Sequence, residues 1–173
     1  MMNRTTENIV RFIVLLALQV LIFNHIHLFG FINPNVYLLA LFLLPLDIPR
    51  SAEFAIAFAT GFVVDIFQFT YGIHASACMC FILLRPYLMY ALNVNKKKND
   101  TEVPLPGKKD FRWMLFYTLL MTLSHQLLVT MLEVFSFRQF HHTLLVIFAN
   151  TLFTTLLILC IEYIFIPVKK QNL

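Results

Sequence analysis

The residues able to do chemistry are few, and they sit where charge is expensive. Asp65 lies in the middle of the greasy stretch "AFATGFVVDIFQFTYGIHASACMCF" (residues 57–81), Arg85 and Glu162 interrupt two further apolar runs, and His125 interrupts another. A carboxylate, a guanidinium and an imidazole in such places suit ion pairing, proton transfer or metal ligation. Gly61, Asp65, Gln68 and Gly72 follow one another at spacings of four, three and four, which places them on one face if the helix continues to the turn. A second stripe holds Thr118, Thr122, His125 and Gln126, and a third Thr143, Asn150, Thr151 and Thr154. Such stripes serve hydrogen bonding between helices, and Thr122, His125, Asn150 and Thr154 are the candidates for it. His125, the one mid-span histidine, is also the candidate for a proton role.

Other chemistries find little support. His25, His27, His74, His141 and His142 fall on one side of the chain with Asp65 and Cys78, but no spacing among them matches a metal-ligand motif. There is no nucleophile elbow, no H-E-x-x-H, no phosphate-binding loop and no acidic pair on one helix. The expectation is a protein that is not an enzyme and carries neither cofactor nor metal. Cys78, Cys80 and Cys160 lie in apolar runs without a CxxC, which argues for small hydrophobic residues rather than a disulfide framework.

The elements that position these groups follow from the composition. Of 173 residues, 60% are hydrophobic and 13% charged, with 19 Phe, and the mean hydropathy is +0.77. A soluble domain carries about 25% charged residues. The chain therefore reads as one all-α integral membrane bundle. The basic residues form no groove-sized patch, so the net charge of +4 does not indicate nucleic acid. Six apolar runs appear, at about 9–29, 36–46, 54–69, 73–92, 111–132 and 143–166, with a polar loop at 93–110 and a basic tail at 167–173. The first has no small-residue cleavage site after it and reads as an uncleaved span.

The run at 36–46 is short, covering only about 16 Å as a helix where about 30 Å is needed. It is either a short span in thinned or protein-filled surroundings or a re-entrant segment. Charge decides. With six spans, all of the 13 Lys and Arg residues except Arg85 and Arg138 fall on the side of the N-terminus. The positive-inside rule then makes six spans, one of them short, with both termini cytoplasmic.

Depth along the spans suggests partners. In a hairpin turning at Tyr71–Gly72, Asp65 stands level with Cys78, near the outer surface, with His74 or backbone amides by the turn as its partner. Arg85 is too deep for Asp65 and matches Glu162, so an Arg85–Glu162 pair is expected.

One family resemblance is carried by these residues. Pro34-Asn35 ahead of an apolar span, Arg50 in a short corner, Gly61-Phe62-Val63-Val64-Asp65, and then Gly72-Ile73-His74-Ala75 resemble the rod shape-determining MreD family. The match covers residues 30–80, with Ala57 where members often have another Gly and with more Phe and Ile than is usual there. The resemblance implies a scaffolding protein of the bacterial inner membrane. It implies action with an MreC-like protein and, through it, MreB-like filaments, a RodA-type glycosyltransferase and a class B penicillin-binding transpeptidase. On that reading Gly61, Asp65, Gln68, Gly72 and His74 are structural or partner-contacting. The family's fold is similar to the substrate-binding subunits of energy-coupling-factor transporters. A rival reading is therefore a small-solute transporter subunit, with Asp65, Tyr71, His74 and His141 around an outward-facing pocket.

Overall fold

The structure is a computed structural model that describes residues 4–25, 32–46, 48–92, 111–134 and 140–165, so the loop 93–110, the connection at Arg138 and the tail lie outside the described residues. Among the described residues six α-helices make the fold: α1 Arg4–Leu21, α2 Leu38–Phe42, α3 Arg50–Gln68, α4 Ile73–Ala91, α5 Phe111–Val134 and α6 Phe140–Phe165, with a 3-10 turn at Phe23–His25 after α1. Four of them, α3 to α6, are long and apolar enough to cross a membrane. The chain is a multi-pass membrane protein. Phe62, Ile66, Leu152 and Ile164 point outward from these helices, as side chains meeting lipid tails do.

Hydrogen bonds fix the direction of each element. Gln19, late in α1, bonds to Pro34 and Tyr37, so the segment after α1 returns alongside it. That segment reaches Leu44 at the level of Arg85, late in α4. The α5 helix starts where α4 stops, with Trp113 Nε1 donating to the Leu92 carbonyl at 3.1 Å. Further along, α5 and α6 meet through the Thr122 and Thr155 hydroxyls, 2.7 Å apart. Successive elements thus run up and down between an Asp65 end and an Arg85 end, and α1 begins and α6 finishes at the latter.

The run at 36–46 is not the helical span expected of it. Only Leu38–Phe42 is α-helix, and turns flank it on both sides. Val36, Tyr37, Leu38 and Leu41 are wholly buried. A helix that is apolar all round belongs in a core, and here the other helices enclose it. The enclosure explains how so short a piece runs through the bundle: its flanking irregular backbone faces protein instead of lipid, which is where such backbone is tolerated in membranes. Phe42 stacks edge-on against Phe81 of α4 and Tyr117 of α5.

The α3–α4 hairpin is closer than the run boundaries imply. The α3 helix begins at Arg50, taking in the corner that the composition left outside the span, and ends at Gln68. The turn at 69–72 puts Phe69, Tyr71 and Gly72 in the left-handed region, at φ of 58°, 49° and 95°. Gly72 is therefore no part of an α3 stripe; it is the N-cap residue of α4. A Cβ placed on Gly61 would lie 2.5 Å from the Ala75 nitrogen and the His74 carbonyl oxygen. Only glycine lets the two backbones cross so closely.

Candidate functional site

Asp65 reaches across that crossing and caps α4. Its Oδ1 accepts from the His74 amide and its Oδ2 from the Ala75 amide, both at 2.9 Å. Thr70 Oγ1 donates to Oδ1 from the turn, and His74 Nδ1 lies 3.2 Å from the same oxygen. Gly72 offers no side chain to cap these amides. A neighbouring helix supplies the carboxylate instead, and its charge also suits the positive end of the α4 dipole. Asp65 is 4% exposed, so almost nothing of it is left for a solute. It stands level with His74 and Ala75 rather than with Cys78, because the hairpin is centred near 69–70 and not at Tyr71–Gly72.

The same shift re-pairs Arg85. Its Nη1 meets Glu53 Oε1 at 3.3 Å, and Glu53 and Arg85 lie equally far from residue 69. Glu53 also pairs with Arg50, at 2.9 Å. The Arg85–Glu162 pair expected from depth is not formed: Glu162 Oε2 is buried and bonded to nothing among the described residues. The other end of the Arg85 guanidinium donates to the Leu44 carbonyl at 2.6 Å and to that of Phe42 at 3.4 Å. These are carbonyls that a helix end leaves unpaired. Arg85 thus closes the C-terminal end of α2 in the protein interior.

Side chains of three helices, α1, α5 and α6, close the opposite end. Asn150 Oδ1 accepts from the Asn33 amide at 2.6 Å, and Thr154 Oγ1 from the Asn35 amide at 3.3 Å. Gln126 Oε1 accepts from Asn35 Nδ2 at 2.7 Å, and Gln19 Oε1 from the Tyr37 amide at 3.2 Å. Asn150 and Thr154, expected to join helix to helix, instead hold the backbone entering α2. Thr122 does join α5 to α6. His125 Nε2 bonds the Tyr37 hydroxyl at 2.9 Å, and its ring stands edge-on to Tyr37. Gln68 reaches the 3-10 turn after α1, donating to Asn24 Oδ1 at 2.8 Å.

The polar groups thus form one axis, from Asp65 and His74 past Tyr37 and His125 to Arg85 and Glu53, wrapped on α2. Tyr71 is fully exposed and lines neither polar recess described among these residues, which removes it from the pocket of the transporter reading. Gln19, Tyr37, Glu53 and Thr70 carry the arrangement although sequence reasoning did not single them out as a site. The available signal was an 11-residue apolar run between breakers, which needs polar partners at both ends. Among the described residues, no group of three His, Cys, Asp or Glu gathers to hold a metal. No family model, no curated protein and no solved structure matches the chain.

Proposed function

We propose that this chain is a non-enzymatic component of the bacterial cell-elongation machinery. On this reading it sits in the cytoplasmic (inner) membrane, helps to organise lateral peptidoglycan synthesis and so regulates cell shape. The observation that carries the reading is a convergence. Gly61, Asp65, Gly72 and Ala75, on which the MreD resemblance rests, meet in one joint: Gly61 lets α4 approach, Gly72 turns the chain into it, and Asp65 caps it at His74 and Ala75. A scaffold needs such a rigid joint. The ionised groups of the axis also favour structure over catalysis, since Asp65 and Arg85 are bonded to backbone.

Arg11, Arg50 and Arg112 all lie at the Arg85 end, which supports placing that end in the cytoplasm. The partners would be an MreC-like protein and, through it, MreB-like filaments, a RodA-type glycosyltransferase and a class B penicillin-binding transpeptidase. Depletion of the protein in its own cell tests this. Rounded cells that lose the MreC-like partner from the membrane are expected. Unchanged rods with impaired uptake of a vitamin-sized solute would overturn it in favour of a transporter subunit.

A further inference from the structure

At the Asp65 end the bundle opens into two adjoining recesses, of about 260 and 420 Å3. Asn33, Gln68 and Glu133 belong to the walls of both. The first recess adds Asn35, Gln126 and Asn150, and the second adds Gln19 and Asn24. Among the described residues the lining is thus rich in carboxamides, holds one carboxylate and two histidines, His74 and His142, and contains no lysine or arginine.

The shared wall has unspent acceptors. Gln68 uses Nε2 to reach Asn24, and its Oε1 accepts nothing among the described residues. The Glu133 carboxylate likewise accepts no hydrogen bond and has no cationic partner among them. Two free acceptors, one of them charged, favour a ligand that brings donors and positive charge. Among the described residues the walls hold no lysine or arginine to balance an anion. The surrounding amides suit hydroxyl or amide groups on the rest of that ligand, and the volumes admit a molecule of about sugar size.

We propose that this recess binds the ammonium group of a small polar amine, with Glu133 and Gln68 Oε1 as its acceptors. The inference goes beyond the scaffolding role and does not rest on it. The ammonium has two sources, a free amine such as an amino sugar or the headgroup of an ethanolamine lipid.

The test uses the full chain in phosphatidylglycerol nanodiscs, which carry no ammonium group, with glucosamine, glucose and glucuronate as calorimetric probes. Glucosamine is expected to bind saturably, glucose about tenfold more weakly, and glucuronate not at all. Glu133→Gln should weaken glucosamine about tenfold while leaving the melting temperature of the unliganded protein unchanged, since Glu133 holds no bond among the described residues. Glucosamine binding that falls when phosphatidylethanolamine is added identifies the lipid headgroup as the ligand; binding that does not fall identifies a soluble amine. Equal binding of glucosamine and glucuronate, full glucosamine affinity in Glu133→Gln, or no binding of glucosamine together with no change on adding phosphatidylethanolamine would each overturn the proposal.

Discussion

Arg85 Nη2 sits 2.6 Å from the carbonyl oxygen of Leu44, and through that bond a helix at the membrane boundary ties down one buried inside the bundle. The other face of the guanidinium holds Glu53. Removing the arginine therefore leaves Glu53 with Arg50 alone and takes the donor from two buried carbonyls. Arg85→Leu is expected to cost about 3–5 kcal/mol, the usual loss when one partner of a buried pair is removed. Glu53→Gln should cost less, because the carbonyls keep their donor. Glu162→Gln should cost least of the three. Unfolding in mixed detergent gives the order, and a Glu162→Gln loss as large as that of Glu53→Gln would return Arg85 to Glu162.

Asp65 is expected to tolerate asparagine better than leucine. Asn keeps one acceptor for the α4 amides and should lose about 1–2 kcal/mol, whereas Leu leaves the buried His74 and Ala75 amides bare and should lose about 3 kcal/mol or more. Thermal unfolding of the two variants compares them. Equal losses would mean that capping is not what Asp65 does.

The two glycines of the joint should fail for different reasons. Gly61→Ala drives a methyl into the backbone of Ala75, so about 1–3 kcal/mol should be lost. Adding Ala75→Gly should not restore it, since the obstruction is main chain. Gly72→Ala meets no atom within 4 Å, and its cost is the left-handed φ of 95°, about 1 kcal/mol. Rescue of Gly61→Ala by Ala75→Gly would show that the helices are held apart by side chains.

Tyr37→Phe removes the one bond made by the His125 ring among the described residues, because Nδ1 has no partner there. A loss of about 1–3 kcal/mol is expected, along with freer motion of the imidazole. The histidine line widths in a nitrogen NMR spectrum read that motion directly. An unchanged ring would place its anchor elsewhere.

Much of this was legible in residue order. The apolar runs locate α3 to α6 within a few residues, because lipid demands long unbroken stretches. The partners expected for Asp65 near the turn, His74 and backbone amides, are the groups that it bonds. Depth matching failed at Arg85 because it placed the hairpin centre two residues late. The breakers Tyr71 and Gly72 mark where the turn ends, whereas Phe69, with nothing in its type to announce it, is already left-handed. Glu53 was hidden for a related reason: a polar corner looks like a loop, yet here it is the first turn of α3. The polar partners of residues 33–37 were read as stripes joining long helices. A pattern of side chains cannot tell a neighbouring helix from a backbone threaded between helices.

The enclosed position of α2 also constrains how the protein is made. Residues 32–46 leave the ribosome after α1 and before every other helix. At that moment only Gln19 exists to receive them; Arg85, Gln126, Asn150 and Thr154 have not been synthesised. The segment is too short to partition into lipid by itself. It must wait at the membrane surface or against α1 until α4, α5 and α6 supply those partners, so the helices made later determine where the second one comes to rest.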